Sequence, residues 1–87
     1  MQKKPRLLKW SRTWPDGSRD DYLGKHPDHP RLYARTYRAD NFNTPTPWYW
    51  VLAEKGDIGT GHEATVEAAV DAAERAYTSW RDSKLAT

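Results

Sequence analysis

Cysteine is absent from the 87 residues, which removes disulfides, thiolate catalysis and cysteine-ligated zinc together. Long apolar runs are absent too. No stretch approaches the ~18 residues that a membrane-spanning helix needs, so no membrane association is expected. The basic start Met1-Gln2-Lys3-Lys4-Pro5-Arg6 is followed only by Leu7-Leu8 before Lys9, which does not make a signal peptide. A small domain with neither disulfides nor a metal suits a reducing compartment, and the expected location is cytoplasmic. Aliphatic content is low as well, with one Met, one Phe and a mean hydropathy of −1.04. Taken alone, that hydropathy and the 30% of charged residues match a disordered chain. Five Trp and five Tyr argue for a fold, because each buried aromatic removes about 150–250 Å² from water.

A chain of this length holds one domain with a thin core. Residues 1–6 read as a flexible basic tail, 7–82 as the domain and 83–87 as a second tail. Charge is unevenly spread. Residues 1–38 carry ten Lys or Arg against four Asp, and residues 39–87 carry four bases against eight acids. Such a dipolar chain either presents a basic surface to an anionic partner or neutralises itself on folding.

Leu8, Trp10 and Trp14 recur at even spacing and predict a strand, ended by Pro15-Asp16-Gly17-Ser18, a turn signal. Asp21-Tyr22-Leu23-Gly24 suits a short strand, and two prolines keep His26 to Pro30 irregular. Arg31 to Arg38 predicts a strand with Leu32, Ala34 and Thr36 on one face and Arg31, Tyr33, Arg35 and Tyr37 on the other. The loop from Asp40 to Pro47 leads to Trp48-Tyr49-Trp50-Val51-Leu52-Ala53, whose aromatic and β-branched residues fit a pleated surface. Trp48, Trp50 and Leu52 share one of its faces. Lys55-Gly56-Asp57 reads as a hairpin connection, with Ile58 to Gly61 a short, edge-like strand after it.

Thr65 is a good helix N-cap, with Glu67 in the first turn. Val66, Ala69, Val70, Ala73, Tyr77 and Trp80 form an apolar stripe at helical spacing. Glu67, Asp71, Glu74, Arg75, Thr78 and Asp82 fall on or near the outer side, with Asp71 and Arg75 as an i,i+4 pair. The helix is expected to end near Arg81. Together these elements predict an α+β fold: a three- to four-stranded antiparallel sheet with one C-terminal helix packed on one face, a two-layer sandwich whose other face is open.

Motifs for catalysis are weak, and no enzyme activity, metal or cofactor is expected. His26, His29 and His62 lack metalloprotease spacing. Asp20 and Asp21 alternate across a strand and read as a solvated turn. Gly59-Thr60-Gly61 precedes a helix but lacks the phosphate-loop ending, and Glu63 would repel a phosphate; its glycines read as a swing from strand to helix. What remains is the set Arg31, Tyr33, Arg35, Tyr37, Arg38 and Tyr49 on the open face. Guanidinium groups pair with phosphates or guanine edges, and rings stack on bases. The competing reading is cross-strand packing of Tyr rings over Arg stems.

Over residues 31–80 the order of elements is similar to AP2-type and integrase arm-type DNA-binding domains. The matching positions are Tyr33-Ala34-Arg35, Trp48 and Trp50, Gly59-Thr60, and Thr65-Val66-Glu67-Ala68-Ala69. That resemblance implies a sheet that contacts DNA with a helix behind it, although residues 48–61 hold only Lys55 as a base where those domains place Arg on several strands. The double-stranded-RNA-binding domain fits less well, since Glu67 and Asp71 stand where it carries lysines. Asp20-Asp21-Tyr22-Leu23-Gly24, Arg35-Thr36-Tyr37-Arg38, Trp48 to Leu52 and Gly61 to Ala68 also resemble short open reading frames of bacteria and their phages. That likeness carries no activity of its own; by size and genre, small phage-borne proteins suggest the alternative of a protein that binds and inhibits a host complex, as an anti-defence or anti-CRISPR protein does. The expected partner is therefore nucleic acid or a host protein complex, with the chain a monomer or a weak homodimer through a sheet edge.

Overall fold

The computed structural model describes residues 6–14, 20–38 and 45–85. Five strands, β1 (Lys9–Arg12), β2 (Asp21–Lys25), β3 (Tyr33–Arg38), β4 (Trp48–Ala53) and β5 (Asp57–Glu63), precede one helix, α1 (Val66–Leu85). They pair antiparallel in chain order β1-β2-β3-β4-β5. The α+β architecture with one C-terminal helix is as predicted; the sheet has five strands instead of three or four. Both weakly signalled segments, 9–12 and 21–25, enter the ladder, and β5 extends past the expected 58–61 at both ends. The turn signal at 15–18 and most of the loop at 40–47 lie outside the described residues.

Helix α1 begins where expected. Thr65 Oγ1 accepts from Ala68 N at 3.1 Å, and Thr65 O accepts from Ala69 N at 3.0 Å, which satisfies donors that a helix start leaves free. It continues to Leu85, beyond the predicted end near Arg81 and into the stretch expected to be a tail. Two cation–ring contacts bracket its last turns: Arg81 over Tyr77, and Lys84 over Trp80. At twenty residues, α1 is about 30 Å long. It lies against β3, β4 and β5 and leaves β1 and β2 beyond its flank. It is not apolar enough to cross a membrane, and no other helix occurs among the described residues.

The core lies between α1 and the face of the sheet that carries Ala34, Thr36, Trp50 and Leu52, all buried. Ala69, Ala72, Ala73 and Tyr77 close it from the helix side. The predicted stripe therefore packs inward, and Trp50 and Leu52 lie under it, with Trp48 partly buried at the margin. Trp50 stands opposite Gly61 in the ladder, and Leu52 opposite Gly59. A Cβ at Gly61 would lie 2.6 Å from Trp50 Nε1, and one at Gly59 would lie 3.3 Å from Trp50 Cη2 and 3.5 Å from the Ala76 Cβ. The glycines thus clear space for an indole spread over β5. That reason differs from the expected swing of strand into helix. Trp10 repeats the arrangement over its ladder partner Gly24, where a Cβ would meet the indole at 3.0 Å.

Glu74 departs from its expected place on the outer side. It is 7% exposed, and its Oε2 accepts from Leu7 N at 3.1 Å, Leu8 N at 3.1 Å and Trp10 Nε1 at 2.9 Å. This carboxylate fastens the start of the chain to the helix. Arg6, expected in a free tail, pairs with Asp71 and approaches Glu74 Oε1 at 3.7 Å. Asp71 is consequently engaged by Arg6 instead of Arg75.

Gly61→Ala is expected to destabilise the fold by about 1–3 kcal/mol, the range for overpacking a core. Gly56→Ala, where an added Cβ meets nothing within 4 Å, should change stability by less than about 1 kcal/mol. Glu74→Ala leaves three donors without their acceptor and should cost about 2–4 kcal/mol. Urea midpoints of the three variants against the parent check all three values.

Candidate functional site

Strand alternation fixes what the face away from α1 carries. Tyr33, Arg35 and Tyr37 of β3 point opposite to buried Ala34 and Thr36. Their ladder partners extend the face: Tyr37 pairs with Tyr49 and Tyr49 with His62, while Arg35 pairs with Val51 and with Leu23. Lys9 and Lys25 are paired across β1 and β2 on this same face.

Three rings cross three strands in register. The Tyr37 and Tyr49 centroids are 5.3 Å apart with planes at 55°, and Tyr49 and His62 are 5.0 Å apart at 58°. The rings are tilted, so their faces are not spent on each other as in a flat stack. Tyr33, at the other end of β3, is 38% exposed.

Arg35 has a partner of its own. Its Nε donates to Asp21 at 3.0 and 3.2 Å and its Nη2 at 2.5 Å, while the guanidinium lies 5.1 Å from the Tyr37 ring centre. Asp21, read from sequence as part of a solvated turn, is 4% exposed and also accepts from Thr13 Oγ1 at 2.7 Å. Burial pushes the Asp21 carboxyl up, but hydrogen bonds from Arg35 and Thr13 and the Arg35 charge outweigh it, leaving the group below the ordinary carboxylate range. The Asp21 hydrogen bonds in turn raise Arg35. Arg35 therefore braces the face and positions the Tyr37 ring; its donor fork is already occupied.

The other expected residues divide. Tyr33, Tyr37 and Tyr49 are brought onto one face. Arg31 precedes β3, in the turn, and is exposed. Arg38 pairs with Trp48 and shares the alternation of Thr36, so it belongs to the opposite side at the sheet's end. Sequence reasoning missed Lys9, Lys25 and His62. Each has the alternation of the open face, but only strand register shows which residues become neighbours.

Charge segregation survives folding. Among the described residues, the ion pairs that join the basic first part to the acidic second part are those of Arg6 with Asp71 and Glu74. The others lie within one part: Arg35–Asp21, Arg81–Asp82 and Lys84–Glu54. Lys9, Lys25, Arg31 and Arg38 form no ion pair among the described residues, and Lys25 Nζ donates to Pro30 O at 3.2 Å.

His26 and His29 are half-buried in a loop whose Pro27, Asp28 and Pro30 are exposed. Their rings sit 5.5 and 5.9 Å from Tyr77, and His29 is 5.1 Å from Trp80, so they cap the C-terminal half of the helix. His62 belongs to the opposite face of the sheet. No cluster of three metal-ligating side chains occurs among the described residues. A groove of about 260 Å³ runs between Trp10, Tyr22, Val66 and Val70, with Arg6 and Glu67 at its rim.

Asp21→Asn is expected to lower stability at neutral pH by about 1–2 kcal/mol, the range for a charge-assisted pair discounted for the partial exposure of Arg35. A depressed folded pKa contributes fully above the unfolded value of about 3.9 and is lost as pH falls through the lower folded value. The gap between parent and variant in urea titrations should therefore narrow below about pH 4. Comparisons with protein-family models, with curated proteins and with solved structures each found no match to the chain.

Proposed function

We propose that this chain is a small non-enzymatic binding module that takes nucleic acid on the open face of its sheet. The observation that carries the reading is the presence, on the one face that α1 does not cover, of an aromatic row and, at the Tyr33 end, of cations that have no carboxylate partner among the described residues. Tyr33, Tyr37 and Tyr49 offer stacking surface together with His62. Lys9, Lys25 and Arg31 attract phosphate, whereas Arg38, on the opposite side of the sheet, makes no contact on this face. Arg35, held by Asp21, supports the rings and takes a lesser share of the contact than its place in the sequence suggests.

A second reading draws on the other side of the molecule. Glu67 and Asp82 are exposed on the helix, within the acidic part of the chain, and such a surface would dock on a basic patch of a host protein. A phage-type inhibitor of a host complex works through that kind of contact. It predicts capture of one stoichiometric protein that survives nuclease treatment.

The two are separated by fluorescence anisotropy with labelled oligonucleotides, single-stranded and duplex. With three phosphate contacts at about −0.7 to −0.9 each in the log–log slope, affinity should fall roughly 20- to 40-fold between about 50 and 200 mM salt. Lys9→Glu combined with Lys25→Glu should weaken binding and flatten that slope while the far-ultraviolet circular dichroism stays unchanged. No binding to any probe at low salt removes the nucleic-acid reading.

A further inference from the structure

We infer that the strand this face accepts is single, with its bases stacked on the Tyr37–Tyr49–His62 row and on Tyr33, and not a duplex entered at its major groove. The inference rests on the nucleic-acid reading above and deepens it. A sheet that reads a duplex must project hydrogen-bonding side chains into a groove about 8.5 Å deep, with forks aimed at base edges. The middle of this face holds nothing of that kind. Its centre is Leu23, Tyr37, Tyr49 and Val51, and β4 contributes no base to it. The one central guanidinium, Arg35, already gives its fork to Asp21, the same bidentate geometry that a guanine edge would need.

Stacking makes different demands. Every base has a π-face, so the site needs rings with an accessible face and cations within reach of the backbone. Tyr33 and His62 are exposed, Tyr49 is half-buried, and half-buried Tyr37 has the Arg35 guanidinium over one face. Tyr37, Tyr49 and His62 span three adjacent strands with centroids 5.3 and 5.0 Å apart. Four residues along β3 at 3.4 Å per residue put Tyr33 about 14 Å from Tyr37. The Lys9–Lys25 pair lies level with Tyr33, toward β1, diagonally across the face from His62. A strand stacked from the ring row toward Tyr33 would bring its phosphates to those cations at the Tyr33 end.

The test uses the full chain with labelled oligo(dT), oligo(rU) and a blunt DNA hairpin. Single strands are expected to bind at least about tenfold more tightly than the hairpin. Tyr49→Ala should weaken single-strand binding by roughly 5- to 100-fold, the loss of one stacked base, with hairpin binding little changed. Tyr49→Phe, which keeps the ring, should stay within about twofold. If Tyr49→Ala unfolds, Tyr33→Ala tests the same point, because its ring is exposed and outside the core. The dT and rU arms separate a DNA ligand from an RNA ligand. Hairpin binding as tight as single-strand binding, with both alanine variants silent, overturns the stacking assignment and leaves the nucleic-acid reading standing. Failure to bind any of the three probes overturns both.

Discussion

The layer between helix and sheet depends on one contact: the Trp50 indole spread across Gly59 and Gly61 of β5. A chain this short of aliphatic side chains must exclude water with flat aromatic ones. A flat ring needs a flat bed, and glycines supply it on the sheet side. On the helix side the counterpart is alanine, with Ala69, Ala72 and Ala73 buried and Ala76 packed beside them. Those small residues let a helix with good intrinsic propensity approach the sheet closely. The indole N–H is the remaining liability, and Glu63 Oε2 accepts it at 3.2 Å. Trp10 repeats the solution with Gly24 beneath it and Glu74 at its nitrogen. Two indole-on-glycine contacts, each ended by a carboxylate, thus adjoin the fully buried Leu32, Leu52 and Tyr77, and β-strand glycine here serves packing in place of chain reversal.

Carboxylates also connect this core to the exposed face. Glu74 fastens the Leu7–Leu8 backbone and Trp10 to the helix, and so sets the position of β1. Asp21, one strand over, receives Thr13 from just beyond β1 and Arg35 from β3. Two buried acids, one on each side of the sheet, thus hold the strands that α1 does not cover. Asp21 matters for the surface as well as for stability, because the guanidinium it restrains is the one lying over Tyr37. Removing the acid would free a cation and loosen a ring in the same stroke.

Much of this was legible in the sequence. Period-2 patterns located β3 and β4, the Thr65 cap fixed the helix start to the residue, and the stripe from Val66 to Trp80 named the buried side. The misses share a cause. Glu74 and Asp21 read as solvated because an acid's local surroundings carry no trace of a partner sixty-odd or fourteen residues away. The glycines of β5 read as a swing point because glycine's permissiveness is visible in a sequence while the indole above it is not. Arg31 was placed on the open face by alternation in a strand that begins only at Tyr33, and Arg38 by proximity in the chain although it alternates away. For the same reason Lys9 and Lys25 went unnoticed: the antiparallel ladder makes them neighbours, and a run of letters does not.

One helix about 10–12 Å across cannot shield a sheet five strands wide at about 4.8 Å per strand, and no second helix covers the reverse face among the described residues. A sheet face left to water ordinarily alternates toward Lys, Glu and Thr. This one keeps Leu23, Tyr37, Tyr49 and Val51 half-buried along its middle, and confines cations to its margin. Cross-strand ring contacts stabilise a sheet by about 0.2–1 kcal/mol per pair, which accounts for some of that composition. They do not account for an arrangement in which the acid excess lies elsewhere and the one central charge is neutralised within the chain. An exposed cation gains only about 0–1 kcal/mol from a carboxylate neighbour, so Lys9 and Lys25 can stand without acids at little cost to the fold.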